Sequence, residues 1–307
     1  MSLTLRDLKR MAETQLMEAG VPDYENDAEI LMEYCFGLDR TDIFMNRDRE
    51  IDEFRCDNYL DHVSRRGKRE PLQYITGTQC FMGIDFKVTP DVLIPRQDTE
   101  RVVTNAKVII ESRNNRKTRD LESPYIYEWI EGRRNWKVLD LCCGSGAIGI
   151  SLAKICGNLK KAVLTDISEK AVSLARVNAI AAGMEKKISV RAGNMFEPLK
   201  NREKFDMIIS NPPYIPSDVI PTLQPEVKDF EPVGALDGGA DGLDYYRQIV
   251  SEAPGRLEKE GILILETGHD QGKAVTELIN DTGKYQKTEI VKDYGGNDRV
   301  VIAVVNR

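Results

Sequence analysis

Hydrophobic positions divide the chain into three stretches of different period. From Leu5 to about Lys68 they recur at helical spacing. Leu5, Leu8, Met11, Ala12 and Leu16 follow a capping Thr4 and stop at Gly20-Val-Pro22; Ala28, Ile30, Leu31 and Tyr34 run up to Gly37; Phe54, Tyr59, Leu60 and Val63 lie between Asp52 and Arg66. The pattern predicts a small all-helical domain over residues 1–70. Between Pro71 and Pro95 the period shortens. Tyr74-Ile-Thr-Gly77 and then Cys80 to Val88 predict two short strands around Gly83, a β-hairpin linker over 71–95. Val92-Leu-Ile-Pro95 and Arg96-Gln-Asp-Thr-Glu100 lead into an amphipathic helix carrying Val102, Val103, Ala106, Val108 and Ile109. Residues 111–135 lose all period, and a surface insertion with a short helix around Tyr125 to Ile130 is expected there.

From Trp136 onward strands and helices alternate. Strands are predicted at Lys137–Leu141, Ala162–Thr165, Ile188–Arg191, Phe205–Ser210 and Ile262–Glu266. Two more, near Lys287–Val291 and Arg299–Val304, bracket Gly295-Gly296 as a closing antiparallel pair. Helices fit at Gly146–Ile155, Glu169–Ala182, Gly242–Leu257 and Gln271–Asn280. Such alternation predicts an α/β domain over residues 96–307: a doubly wound, seven-stranded, mostly parallel sheet covered on both faces.

Composition narrows the class of protein. A chain of 307 residues, 41% hydrophobic and 30% charged, is ordinary for a globular protein. Its N-terminus is polar rather than signal-like, and no apolar stretch approaches a membrane span, so a cytoplasmic protein is expected. The net charge of −7 and the lack of a basic block weigh against a nucleic acid as main partner. Residues 1–70 carry 11 Lys/Arg against 17 Asp/Glu. That acidity suits docking to a basic protein surface, and equally a solvated appendage. Six cysteines show no CxxC pair, and only His62 and His269 could join them, so no metal site is expected.

Two loops at predicted strand ends carry candidate chemistry. Asp140-Leu-Cys-Cys-Gly144-Ser-Gly146-Ala-Ile-Gly149 runs from strand through glycine loop to helix, where unpaired N–H groups face outward. Asp166 ends the next strand and can accept both hydroxyls of a ribose. Gly144 to Gly149 also matches the dinucleotide fingerprint, so a nicotinamide-dependent oxidoreductase is an alternative. Against it, Asp140 just before the loop would repel a pyrophosphate and suit a cationic ligand. S-adenosylmethionine, cationic and without phosphate, fits better. The second loop, Asn211-Pro212-Pro213-Tyr214, ends a strand because neither proline can donate to a ladder. It gathers an amide, fixed carbonyls and a ring, the equipment for gripping a planar NH2 group. Taken alone it is also an ordinary rigid turn.

Together Asp140–Gly149, Asp166 and Asn211–Tyr214 resemble the motifs of class I S-adenosylmethionine-dependent methyltransferases acting on planar nitrogens. Three further stretches, Arg69-Glu-Pro-Leu-Gln-Tyr-Ile-Thr-Gly77, Phe81-x-Gly83-x-x-Phe86-x-Val88 and Val92–Glu100, are similar to the linker signature of the release-factor glutamine methyltransferases, the HemK/PrmC family. Ala235-Leu-Asp-Gly-Gly239, Leu265-Glu266-x-Gly268-x-x-Gln271 and Lys292–Arg299 look like the same family. Adenine-N6 nucleic-acid methyltransferases share the Asn-Pro-Pro-Tyr loop but not the linker or helical domain.

The resemblance implies methyl transfer to the side-chain amide nitrogen (N5) of the glutamine in the Gly-Gly-Gln tip of class 1 peptide-chain release factors. It implies a cofactor site at Gly144, Ser145, Gly146, Ala147, Ile148, Asp166, Asn194, Met195 and Asn211, with Glu100 near the cofactor's amino end. Catalytic roles fall to Asn211, Pro212 and Tyr214, and substrate contacts to Asn211, Pro212, Pro213 and Tyr214. Three departures from the family pattern stand out: Cys142 for the loop's first glycine, Asn194 where an acid is common, and Gln97-Asp98 for Pro-Glu.

Overall fold

The computed structural model describes residues 3–111 and 135–306; the short helix expected around Tyr125 to Ile130 lies outside them. The chain divides into two compact units, Met1–Thr78 with Leu223–Phe230, and Gln79–Thr222 with Glu231–Arg307.

The first unit is helical. Strand β1 (Leu3–Thr4) leads into α1 (Leu5–Glu18), α2 (Tyr24–Phe36) and α3 (Arg40–Met45); β2 (Glu50–Ile51) pairs back on β1 before α4 (Glu53–Gly67) and α5 (Leu72–Thr76). Thr4 closes a capping box with Asp7: its Oγ1 accepts from the Asp7 amide at 3.2 Å, and the Asp7 carboxylate takes the Thr4 N–H. Leu5, Leu8, Ala12 and Leu16 form one stripe, buried with Leu31, Tyr59 and Val63 in a single core. The linker differs from the sequence pattern at one point. Tyr74-Ile-Thr76 forms the α5 turn rather than a strand, because Pro71 starts it and Gly77, at φ +76°, ends it. The hairpin is therefore shorter: β3 (Thr78–Phe81) and β4 (Ile84–Lys87) around Met82-Gly83.

The second unit continues through α6 (Glu100–Glu111), β5 (Trp136–Leu141), α7 (Ala147–Ile155), β6 (Leu159–Asp166), α8 (Glu169–Ala181), β7 (Ile188–Ala192) and β8 (Phe205–Ser210). Next comes the helical turn α9 (Pro225–Lys228), within the segment that belongs to the first unit. There Glu226 accepts from Arg69 Nε at 2.6 Å and Arg66 Nη1 at 3.0 Å, while Arg66 Nε donates to buried Asp27 at 2.7 Å. Then follow α10 (Asp244–Arg256), β9 (Leu257–Glu266), α11 (Gly272–Asp281), β10 (Tyr285–Lys292) and β11 (Asp298–Val305).

The seven strands run in the order β10-β11-β9-β8-β5-β6-β7, with β11 antiparallel to both neighbours and the central pairs parallel. Alternate residues serve opposite faces. Val138, Met207, Ile209 and Ile264 pack under α6, α7 and α8, whereas Leu139, Leu141, Ile208 and Leu265 pack under α10 and α11. Both faces are covered, which is why these strands appear in the sequence as unbroken apolar runs. Chain order reverses beside β5: β6 and β7 extend to one side, β8 and β9 to the other. A crevice opens there at the carboxyl ends of β5 and β8, where Leu141 pairs with Ser210.

Candidate active site

The crevice is built from the loops leaving β5, β6, β7 and β8. After Leu141 the backbone turns through Cys142 (φ +56°), Gly144 (+52°) and Gly146 (+83°) into α7. The two glycines have different reasons to be glycine. A Cβ on Gly146 would lie 2.7 Å from Ile150 Cδ1, so its bareness serves helix–strand packing. A Cβ on Gly144 would meet no protein atom within 4 Å; Gly144 lines the cavity, and the space it leaves open is ligand space.

Asp166, at the end of β6, forms the opposite wall. Its carboxylate accepts from the Gly144 amide at 2.8 Å and the Ser168 amide at 2.9 Å. Burial raises its pKa above the ordinary carboxylate value, against the pull of those amides. Asn194 and Met195 line the cavity beyond β7, and Asn211 and Pro213 line it beyond β8.

Of the residues expected at the site, the structure thus brings Gly144, Asp166, Asn194, Met195, Asn211 and Pro213 to one cavity. Ser145, Gly146, Ala147 and Ile148 lie behind it. Ser145 is buried, its carbonyl bonded by Asn178 Nδ2 at 2.9 Å, and Ile148 sits in the core. Pro212 is buried and Tyr214 packs at the edge of the α10–α11 core, so neither side chain lines the cavity.

Two carboxylates are not where the sequence pattern put them. Asp140 does not face a ligand: it has no solvent exposure and accepts the Gly149 amide at 2.9 Å. It shares the strand face of Val138, turned toward the first turn of α7, and burial raises its pKa to about 7. Glu100 holds the hairpin, accepting the Met82 amide at 2.7 Å, and does not line the cavity.

The Asn211 loop rests on partners from stretches that the family resemblance named without giving them a role. Asn211 Nδ2 donates to Thr99 Oγ1 at 3.2 Å. At the end of β9 the buried Glu266 carboxyl feels the Thr99 and Tyr214 hydroxyls and the Arg299 charge, but burial outweighs them and raises its pKa to about 7. Gln271 Nε2 donates to the Tyr214 carbonyl at 2.8 Å. Glycines let neighbouring backbone close on the loop: a Cβ on Gly238 would lie 2.7 Å from Tyr214 Cα, and one on Gly242 would lie 2.3 Å from the Tyr214 oxygen. The Ala235–Gly239 and Gly268–Gln271 stretches thus serve to immobilise Tyr214. Their signal in the sequence was their likeness to the family's C-terminal stretches.

The charge of the cavity bears on its ligand. Asp91 and Asp166 line it, and among the described residues no Lys or Arg does. A pyrophosphate would find only carboxylates there, whereas a cationic nucleoside is well matched. Cys142 also lines it, but burial pushes that thiol up to about 12, so it stays protonated and its contact with Met195 Sδ at 3.8 Å is packing. Among the described residues no cluster of His, Cys, Asp and Glu could hold a metal ion, and no helix is long and apolar enough to cross a membrane.

Strand order and crevice together define a class I methyltransferase fold. A solved methyltransferase from Pyrococcus furiosus shares it with a TM-score of 0.52 at 15% identity, over 80% of this chain and 99% of that one. Residues 7–77 match the family model described as the PrmC N-terminal domain, and residues 115–220 match the methyltransferase small domain. Relatives named release factor glutamine methyltransferase align along nearly the whole length. That of Clostridium acetobutylicum is 37% identical over 98% of this chain and 99% of its own, and that of Geobacter sulfurreducens is 40% identical over 97% and 95%. The chain belongs to the release factor glutamine methyltransferase family.

Proposed function

We propose that this enzyme transfers a methyl group from S-adenosylmethionine to the side-chain amide nitrogen of the glutamine in the Gly-Gly-Gln motif of class 1 peptide-chain release factors, in the cytoplasm. The observation that carries the reading is that Asn211 lines the same phosphate-averse cavity as Gly144 and Asp166. Family membership supports the substrate.

The residues present fit the cofactor. Open space over Gly144 accepts it, Asp166 is placed for a ribose, Asn194 and Met195 for an adenine, and the acidic lining suits its positive charges. When bound, it supplies an electrophilic methyl on a sulfonium.

The chain's task is to make a poor nucleophile attack. An amide nitrogen's lone pair is delocalised into its carbonyl, so orientation must do most of the work. Asn211 Oδ1 and the Pro212 carbonyl accept the two amide hydrogens and aim the nitrogen. No general base is needed, because the nitrogen becomes acidic once it carries the methyl and loses its proton to water after the transfer. Pro213 stiffens the loop. Tyr214, held at its carbonyl by Gln271, fixes the loop's far end. Asn211→Ala should lower turnover by about 10²–10³-fold with cofactor affinity little changed. A radiolabelled methyl assay on intact release factor, with DNA tested in parallel, checks this; near-normal turnover would remove Asn211 from the mechanism.

The helical unit is the candidate docking platform, since one tripeptide cannot supply specificity alone. Phe44, Met45 and Phe54 are exposed on it. Phe44→Ser with Phe54→Ser should raise KM for intact release factor about tenfold while leaving a short Gly-Gly-Gln peptide unaffected.

A further inference from the structure

The helical unit is acidic, with 11 Lys/Arg against 17 Asp/Glu over residues 1–70, but its cations are not spread evenly. Arg6, Lys9, Arg10, Arg40 and Arg47, five of those eleven, line one open cavity of about 760 Å³. Helix α1 supplies the first three, which share a face through their i, i+3 and i, i+4 spacing. Helix α3 and the turn after it supply the other two. The Arg6 N–H donates to the Arg47 carbonyl at 2.9 Å, so the backbone itself joins the two sides of the groove. Phe44 lies exposed at the same cavity, its ring centre 5.3 Å from the Arg47 guanidinium.

Two carboxylates share the lining with the five cations. Glu29, on α2, takes Lys9 at 3.1 Å and Arg40 as well, which fixes those two side chains. Glu13 stands 3.8 Å from Lys9. From outside the lining Asp48 reaches Arg6 at 2.6 Å and Arg47 at 3.7 Å, and Asp7 lies 4.0 Å from Arg10. Arg6, Arg10, Arg47 and Asp48 are all exposed, so these outer pairs are weak and an incoming carboxylate can exchange for them. We propose that this groove docks an acidic segment of the release factor in which carboxylates alternate with apolar side chains, an inference that rests on the release-factor reading above. Guanidinium forks match carboxylates, and Phe44 gives an apolar side chain something to pack on.

The interleaved carboxylates decide between a peptide and a nucleic acid. A phosphate backbone carries charge at every residue and would meet Glu13 and Glu29 as well as the arginines. A peptide spaces its carboxylates and can leave the positions opposite the two glutamates uncharged. The net charge of the unit suits a basic partner surface, whereas this groove has the opposite sign. At the ionic strength of a cell charges act over about 8 Å, so the local cluster and not the total sets the partner at this face.

Arg10→Glu with Arg47→Glu reverses two exposed charges and touches no buried side chain. In the full-length enzyme it should raise KM for intact release factor about 20-fold, with kcat and the dissociation constant of S-adenosylmethionine within about twofold. Arg10→Lys with Arg47→Lys keeps the charges and should stay within about threefold of the parent. Added salt should raise the parent's KM and barely move that of the doubly reversed variant. A short alternating Glu-Leu peptide should compete with intact release factor about tenfold better than a single-stranded RNA of equal charge. An unchanged KM in the reversed variant, equal losses in the glutamate and lysine variants, or stronger competition by RNA overturns the proposal. If the parent methylates release factor and the reversed variant matches it, the groove alone is misassigned; if the parent does not methylate release factor, the reading beneath it fails.

Discussion

Buried carboxylates in the helical unit and in the sheet unit are held by different kinds of partner. In the helical unit Asp27 and Glu226 face guanidinium groups, Arg66 between the two and Arg69 on Glu226. Burial pushes Glu226 up, but the Arg69 and Arg66 hydrogen bonds outweigh it and leave the carboxyl below its ordinary value. At the more deeply buried Asp27 burial outweighs Arg66, and the carboxyl stays above its ordinary value. In the sheet unit Asp140 meets a backbone amide at 2.9 Å, and Glu266 has only neutral hydroxyls and the Arg299 charge in its surroundings. Burial dominates at both, and each pKa rises to about 7. The difference separates two uses of a buried charge. A guanidinium neutralises a carboxylate and pins two segments together. Hydroxyl and amide partners compensate it less, and burial shifts the carboxyl toward holding its proton.

The largest expected effect breaks the first kind. Arg66→Ala strips Asp27 of its partner and weakens the hold on Glu226, and should cost about 3–5 kcal/mol in urea denaturation. A loss under about 1 kcal/mol would mean that the pair is not a structural clamp. The second kind is tested by pH. The raised folded-state value of Asp140, about 7 against an ordinary value near 4 in the unfolded chain, means that the native state holds a proton the unfolded state has lost across that window. The contribution of Asp140 to stability therefore declines as pH rises from about 4 to about 7 and levels off above. Asp140→Asn should flatten this decline by about 2–4 kcal/mol relative to the parent. Parallel denaturation curves for the two proteins at pH 5 and pH 8 would contradict it.

The same contrast explains how far the sequence could be followed. Strands buried on both faces are visible as apolar runs, and Gly144, Asp166 and Asn211 sit where motif spacing set them because each ends a strand. Helix α5 escaped because five residues are too few to show a period between Pro71 and Gly77. Segment Leu223–Phe230 escaped because its attachment to the helical unit is an ion pair of Glu226 with residues about 160 positions away. Asp140 was misplaced by judging its position along the chain rather than its strand face, which it shares with buried Val138. The Thr99–Asn211 contact spans residues far apart in the chain, both polar and both outside any periodic run, so no local pattern joins them.

Two glycines, Gly144 in the cavity and Gly242 against the Tyr214 carbonyl, offer a sharper, smaller contrast. Gly242→Ala drives a Cβ into the Tyr214 carbonyl at φ +73° and should cost about 1–3 kcal/mol together with turnover. Gly144→Ala has room and should cost only the backbone term, about 1 kcal/mol. Its loss should instead appear as weaker S-adenosylmethionine binding, by about tenfold in calorimetry. Equal stability losses with unchanged binding would show that Gly144 does not touch the cofactor.

The smallest effect expected is at the cavity rim. Lys170 Nζ pairs with Asp91 at 2.7 Å, with the lysine side chain 75% exposed. Such a pair adds well under about 1 kcal/mol, so Lys170→Met should leave stability within about 0.5 kcal/mol. Its effect on binding has a sign, however. Removing the lysine leaves the Asp91 carboxylate uncompensated at a cavity whose other charged wall is Asp166. A cationic ligand should then bind about twofold more tightly at low salt, and the gain should fade as ionic strength shortens the reach of the charge. S-adenosylhomocysteine, which lacks the sulfonium charge, should gain less than S-adenosylmethionine. Weaker binding of both, or a gain that salt does not touch, would mean that Lys170 acts on the cavity through shape and not through the charge of Asp91.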